Sequence, residues 1–129
     1  MEQIRSPLAR ARGLGSAKHG VGHWRVQRLS AVALVPLTFW FVASLATHTG
    51  SGYDAAIAWI GSPLVAVLLS LYLAVAFYHS QLGLQVIVED YVHGEGLKTV
   101  MLTLLQFLHI GLAVGSIFAV LWIALGAAA

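Results

Sequence analysis

Three long apolar runs, separated by short polar stretches, dominate the chain. They cover residues 29–47, 63–88 and 99–125, which are 19, 26 and 27 residues long, and none of them contains Lys, Arg, Asp or Glu. A helix of about 20 residues crosses the ~30 Å hydrocarbon core of a bilayer, and backbone groups in lipid must be hydrogen-bonded within their own segment. The pattern therefore predicts three membrane-spanning helices, at about 25–47, 63–89 and 98–126.

The polar segments between these runs complete the organisation. Residues 1–24 are rich in Gly, Ala and basic residues, and we expect a basic leader there, irregular or partly a surface helix, ahead of a membrane anchor domain at 25–129. Pro36 is expected to kink the first helix, whereas Pro63 is a favourable first-turn residue for the second. Residues 93–96 are predicted to form a turn. The predicted fold class is an all-α integral membrane protein.

Composition agrees with that class and excludes several others. The chain is 59% hydrophobic and 9% charged, with a mean hydropathy of +0.84, which excludes an ordinary soluble domain. It contains no cysteine, so it holds neither a disulfide nor a cysteine-bound iron–sulfur cluster.

The distribution of positive charge predicts the orientation in the membrane. Six of the seven Lys and Arg residues precede the first apolar run, and Lys98 lies between the second and third runs. Because Lys and Arg concentrate on the cytoplasmic side of membrane proteins, we expect a cytoplasmic N-terminus in a bacterial inner membrane. A mitochondrial inner membrane is the alternative, since the leader is Arg-rich and acid-poor. Membrane orientation, not nucleic-acid binding, explains the pI of about 9.3.

His79 lies well inside the second predicted helix, where an ionisable side chain is costly and indicates function by default. At 100° per residue, His79, Gly83, Val86 and Asp90 form one stripe. The small residues Ala76 and Gly83 leave room beside the histidine for a flat group. A neutral imidazole suits haem iron, but a histidine that hydrogen-bonds a neighbouring helix explains the position equally well.

Asp90 and Tyr91 follow at the cytoplasmic end of the same helix. Glu89 and Asp90 occupy a helix C-terminus, where the helix dipole disfavours anions, and such a locally unfavourable choice indicates function. A phenol can donate a hydrogen bond to a carbonyl oxygen, and a nearby carboxylate can orient it or relay a proton. These groups suit a quinone at the membrane edge. An interfacial tyrosine and a solvated acid are the alternative interpretation.

The second helix resembles a known signature. His79, Gly83, Gln85 and the run Asp90-Tyr91-Val92-His93-Gly94 have the order and spacing found in the small cytochrome b membrane anchor of succinate dehydrogenase (respiratory complex II). Upstream, Gly22-His23-Trp24 and Gln27-Arg28-Leu29-Ser30-Ala31 resemble the segment that enters the first helix of that family. The resemblance extends over about residues 15–126, and the signature of the larger cytochrome b anchor of the same enzyme is absent.

The resemblance implies a function and a set of site residues. It implies a membrane anchor of succinate:ubiquinone oxidoreductase, an enzyme whose flavin and iron–sulfur chemistry is on other subunits, so no residue here is predicted to be catalytic. His79 would be one axial ligand of the iron of haem b, and the larger anchor would supply the other. Tyr91 would hydrogen-bond a ubiquinone carbonyl, supported by Asp90. Arg28 would lie near the haem propionates and the quinone, although a snorkelling membrane anchor explains it equally well.

The same resemblance implies the partners. They are the larger cytochrome b anchor, the iron–sulfur subunit, the flavoprotein subunit and the lipid bilayer, with no nucleic acid, and the three helices would form part of a multi-subunit helix bundle. An anchor of a fumarate reductase, a haem-free scaffold or assembly protein, and a small cytochrome that holds haem between His79 and His109 are the alternatives.

The other polar and small residues receive simpler interpretations. His109 should reach a depth similar to that of His79, and we favour a packing or hydrogen-bonding role for it. The Gly111-x-x-x-Gly115 face permits close helix contact and is expected to pack against the larger anchor. Surface, interface or turn positions are expected for His19, His23, His48 and His93, belt or packing positions for Trp40, Trp59 and Trp122, and contact with a docked soluble subunit for Trp24.

Overall fold

The computed structural model describes residues 6–11 and 20–126, and within these ranges every regular element is an α-helix. In chain order the helices are α1 (Pro7–Ala11), α2 (Gly20–His48), α3 (Tyr53–Gly61), α4 (Pro63–Tyr91) and α5 (Glu95–Gly126). Within the described ranges, α2, α4 and α5 are long and apolar enough to cross a membrane. The predicted all-α membrane fold is therefore confirmed. His19 lies outside the described residues.

α2 begins at Gly20, ahead of the predicted start at about 25, and it continues through Pro36. The proline removes one backbone hydrogen bond without ending the helix. Because the helix starts early, His23 and Trp24 belong to its first turns and lie on the same continuous helix as Arg28.

A helix that the sequence pattern did not predict occupies the link between the first two spans. α3 follows Gly50 and Gly52, whose φ angles of 85° and 83° are conformations that residues with a side chain rarely adopt. Asp54 in the first turn of α3 suits the positive end of the helix dipole. Ser62 is extended (φ −67°, ψ 129°), as expected of a residue before proline, and Pro63 then opens α4.

α4 is the central helix, because it packs against α2, α3 and α5. We call the end of the bundle with residues 48–63 the loop end, and the end where α2 begins, α4 ends and α5 begins the leader end. The turn at the leader end is short: Tyr91 ends α4 and Glu95 begins α5. The Lys98 amide donates to the Gly94 carbonyl oxygen at 2.8 Å, and Lys98 Nζ lies 3.8 Å from a carboxylate oxygen of Glu95.

The core lies toward the loop end. Ala66, Leu69 and Val120 are buried there. Trp40 and Trp59 pack against them, which is one of the two positions expected for these tryptophans. Trp122, by contrast, is 70% exposed. Most other large apolar side chains are also exposed in the chain by itself. Such a surface is what lipid or further membrane helices cover.

Candidate functional site

His79 connects α4 to α2 through one of its two ring nitrogens. Its Nδ1 lies 2.8 Å from Ser30 Oγ, and the Ser30 hydroxyl also donates to the Gln27 carbonyl oxygen at 3.0 Å. Ser30 is buried and His79 is half-buried. Among the described residues, no group hydrogen-bonds His79 Nε2. One ring nitrogen therefore holds two helices together, and the other has no protein partner in the described part of the chain.

His79 also lines two adjoining openings between α2 and α4, and Ala31 lines both. The opening toward the leader end, about 760 Å³, includes several polar and charged side chains, His23, Gln27, Arg28, Gln85 and Glu89, together with Trp24 and Val86. The other opening, about 440 Å³, is bordered mainly by apolar ones: Leu34, Val35, Phe39 and Val42. We call the two together the His79 groove. Each opening has a volume in the range of ligand pockets, and the two differ in polarity.

The polar end of the His79 groove contains unpaired polar atoms. His23 Nε2 and Gln27 Oε1 are buried and have no hydrogen-bond partner among the described residues. An unpaired buried polar atom costs about 1–3 kcal/mol, so such atoms in a groove wall call for a polar partner. A flip of the Gln27 amide would present its NH₂ group instead of its oxygen.

The charge at this end favours an anionic ligand group. Arg28 borders the groove, and its guanidinium lies 5.7 Å from the centre of the Trp24 ring in a cation–π contact. A guanidinium carries five N–H donors and no acceptor, so it suits carboxylates. Glu89 is the opposing charge, but its Oε1 accepts a hydrogen bond from Gln85 Nε2 at 2.8 Å, which directs part of that carboxylate along α4.

These features fit a haem. The macrocycle is flat and largely apolar, its propionates are anionic, and its iron accepts a neutral imidazole nitrogen. The groove supplies an apolar wall, a polar end with unpaired atoms and Arg28, and one free imidazole nitrogen between them. Within the described residues, His, Asp and Glu side chains form no group of three or more able to hold a metal ion. A metal bound at His79 would therefore take its further ligands from outside these residues.

Asp90 and Tyr91 lie apart from the residues that border the groove. Asp90 is exposed, and the Tyr91 side chain is 78% exposed at the leader end of α4. Eleven residues separate His79 from Asp90, which is about 16 Å along a helix. The structure brings His79 and Arg28 together in one groove and leaves Asp90 and Tyr91 on the surface at the leader end. His93 lies in the following turn, where its Nδ1 donates to the Tyr91 carbonyl oxygen at 3.1 Å.

His109 has the packing and hydrogen-bonding contacts that the sequence analysis favoured. It is buried at the α4–α5 contact, and its Nδ1 donates to the Leu105 carbonyl oxygen at 2.9 Å. Its Nε2 accepts from the Ser80 hydroxyl at 3.3 Å, and its ring meets Phe77 edge-on with centroids 6.4 Å apart. Both ring nitrogens are occupied, in contrast to His79.

Sequence reasoning missed His23, Gln27 and Ser30 as a set. They follow the spacing i, i+4, i+7, which places them on one helix face. That signal depends on a helix that begins before residue 23, and the predicted helix began at about 25. His23 was therefore expected at a surface or interface, whereas the structure buries its Nε2 in the groove wall.

The fold and the groove together define a class of protein: a three-span helical membrane protein with a groove between its first two spans, in which no described residue hydrogen-bonds His79 Nε2. A family model described as succinate dehydrogenase/fumarate reductase transmembrane subunit matches residues 2–118. The chain belongs to this family. No solved structure gives a significant match.

Curated relatives agree with the family. A succinate dehydrogenase hydrophobic membrane anchor subunit from Rickettsia bellii is 29% identical over 119 residues, covering 92% of this chain and 95% of its own. One from Paracoccus denitrificans is 32% identical over 97 residues, covering 75% of each chain. A succinate dehydrogenase membrane anchor subunit from Reclinomonas americana is 27% identical over 96 residues, covering 72% of this chain and 80% of its own.

Proposed function

We propose that this chain, as a succinate dehydrogenase membrane anchor, helps to bind haem b and ubiquinone and so to pass electrons from succinate oxidation to the quinone pool. The observation that carries the haem proposal is the His79 groove, where a free imidazole nitrogen lies between an apolar wall and a polar end with unpaired buried atoms. Membership of the family supports it.

In this proposal each end of the groove has a separate task. His79 would bind the haem iron, and the larger anchor would supply the other axial ligand. Arg28, His23 and, after the amide flip, the Gln27 NH₂ group would donate hydrogen bonds to the propionates, which would give the two unpaired side chains partners. Bound haem b supplies a site that stores and releases one electron at a time. The apolar wall excludes water from that site, which is one way in which a protein tunes a haem potential.

Ubiquinone would bind at the leader end, near the last turn of α4. The exposed Tyr91 phenol can donate a hydrogen bond to a quinone carbonyl oxygen, and Asp90 can orient the phenol or relay a proton to the reduced product. Because neither side chain is engaged in the core, both are available to a ligand that binds between this chain and its partners.

The charge pattern supports an arrangement in the membrane. With Lys and Arg concentrated before the first span, the leader end would face the cytoplasm. The flavoprotein and iron–sulfur subunits would dock there, beside Trp24, which is 60% exposed. The larger anchor would cover exposed helix faces, including Gly111 and Gly115, whose Cβ positions meet open space. Relatives from Rickettsia and Paracoccus support a bacterial inner membrane.

The reduced-minus-oxidised absorption spectrum tests the haem proposal. It should be recorded on the purified chain, on the assembled complex, and on a complex that carries His79→Gln. We expect a low-spin haem band in the wild-type complex only. A band from the isolated chain would indicate a self-contained cytochrome. A haem-free wild-type complex, or an unchanged band in His79→Gln, would contradict the proposal.

A haem-free scaffold is the second candidate, because one observation favours it. The Ser30–His79 hydrogen bond joins α2 to α4 without any ligand, and a scaffold would need nothing more of His79. A scaffold, however, would not explain why His23 Nε2 and Gln27 Oε1 are buried without a hydrogen-bond partner among the described residues. The same spectrum separates the two functions.

A further inference from the structure

We infer that Ser30 is a positioning residue that fixes which ring nitrogen of His79 carries the proton, and so keeps Nε2 free to bind iron. This inference rests on the proposed haem ligation for its purpose. Its geometric content concerns only residues of this chain, so it can be tested with and without haem.

The Ser30 hydroxyl has a single proton to donate. A carbonyl oxygen can only accept, so the 3.0 Å contact between Ser30 Oγ and the Gln27 carbonyl oxygen takes that proton. The 2.8 Å contact between Ser30 Oγ and His79 Nδ1 must then take its proton from the imidazole. His79 is therefore protonated at Nδ1, and Nε2 keeps its lone pair.

His109 provides an internal comparison. Its Nδ1 also faces a carbonyl oxygen, that of Leu105, and is therefore protonated. Its Nε2, however, receives the hydroxyl proton of Ser80, which occupies the lone pair. The two histidines share a tautomer but differ in where the serine lies. At His109 the serine hydrogen-bonds Nε2, whereas at His79 the serine hydrogen-bonds Nδ1 and leaves Nε2 without a partner among the described residues.

The position of Ser30 makes this arrangement durable. Ser30 is 8% exposed, so water competes little for its hydroxyl, and the Gln27 carbonyl that anchors it lies one turn earlier in the same helix. A histidine that binds a metal commonly donates its other N–H to an acceptor, which fixes the ring and makes the ligand more basic. Ser30 would supply that acceptor from α2 to a ligand on α4.

The first test measures the tautomer directly. The full chain, free of haem, is labelled with ¹⁵N-histidine in lipid nanodiscs, and the His79 resonances are assigned by their loss in His79→Gln. We expect a protonated Nδ1 and an unprotonated Nε2 in the wild type, and the same in Ser30→Thr, which keeps the hydroxyl. In Ser30→Ala the two tautomers should mix. A wild-type His79 protonated at Nε2 would overturn the inference without any variant.

The second test uses the assembled complex. Ser30→Ala should reduce haem retention roughly tenfold, a typical effect of losing a group that orients a metal ligand. It should also raise the haem midpoint potential, because a less basic imidazole stabilises ferric iron less. A threefold change in the ferric-to-ferrous affinity ratio corresponds to about 28 mV for one electron. Ser30→Thr should restore both values.

The outcomes separate this inference from the haem proposal. If Ser30→Ala leaves both the tautomer and the potential unchanged, Ser30 is only a packing residue and the inference fails, while haem ligation by His79 stands. If haem is lost from Ser30→Ala but the remaining haem has the wild-type potential, the inference also fails. A complex with His79→Gln that keeps its haem band would instead remove the haem proposal.

Discussion

Replacing His109 with phenylalanine should weaken the α4–α5 contact and leave haem in place. The substitution keeps a ring against Phe77 but removes both imidazole hydrogen bonds: the Nε2–Ser80 bond between the helices, which at 3.3 Å is a long one, and the Nδ1 bond to the Leu105 carbonyl oxygen within α5. Hydrogen bonds between membrane helices contribute about 0.6 kcal/mol on average and about 1.7 kcal/mol at most. We therefore expect a loss of about 0.5–1 kcal/mol in the free energy of unfolding.

Two further variants separate the hydrogen bond from the ring. Ser80→Ala removes the same interhelical bond and should cost no more than His109→Phe, which also loses the Nδ1–Leu105 bond, and the double variant should cost about as much as His109→Phe alone. His109→Ala also empties the space of a ring that is 9% exposed, and should cost about 3 kcal/mol or more. Helicity of the purified chain during titration from a mild into a denaturing detergent measures these differences.

The haem spectrum of the same variants provides the decisive comparison. His109→Phe should leave the band of the assembled complex unchanged in height, because His109 Nε2 is already occupied by Ser80. Loss of the band in a variant that is destabilised by less than about 1 kcal/mol would show that His109 binds iron. It would refute the assignment of this histidine to packing.

Three other substitutions test separate parts of the account. Tyr91→Phe should lower quinone reduction roughly three- to tenfold, as expected from one neutral hydrogen bond, while succinate oxidation by an artificial dye stays unchanged. Tyr53→Phe, equally exposed at 78% but at the loop end, should affect neither activity. Equal loss of both activities in Tyr91→Phe would contradict the quinone assignment. His23→Ala should reduce haem retention in the complex, since it removes a buried donor from the groove, and full retention after dialysis would exclude a propionate contact. Gly111→Leu should reduce co-purification of the larger anchor several-fold, whereas Gly96→Leu, at a glycine that also meets open space, should not; equal recovery of both would place the partner elsewhere.

The membrane fold could be predicted because its physical cause is local. Each span is a run of apolar residues long enough to cross a bilayer. A single segment in lipid can hydrogen-bond all its own backbone groups only as a helix. The α3 helix escaped prediction because nine residues are too few for a span, and its start depends on the positive φ angles of Gly50 and Gly52. Such angles are set by the path of the chain between two packed helices.

In the candidate site, too, the features with a local cause could be predicted, and those that depend on how the helices pack could not. His79 could be singled out because a histidine deep in an apolar helix is costly wherever its neighbours lie, and Arg28 because its segment resembles the one that enters the first helix of the family. The partner of His79 Nδ1 could not be predicted, since Ser30 is 49 residues away and the contact depends on how α2 crosses α4. Gln85 and Glu89 border the groove for the same reason, although the stripe through His79 pointed to Asp90.

An experimental density map of the assembled complex tests the central claim most directly. The account predicts a porphyrin in the His79 groove with its iron on His79 Nε2, Ser30 on Nδ1, and the propionates toward Arg28 and His23. A map in which Nε2 faces lipid or another side chain, with no porphyrin beside it, would contradict it.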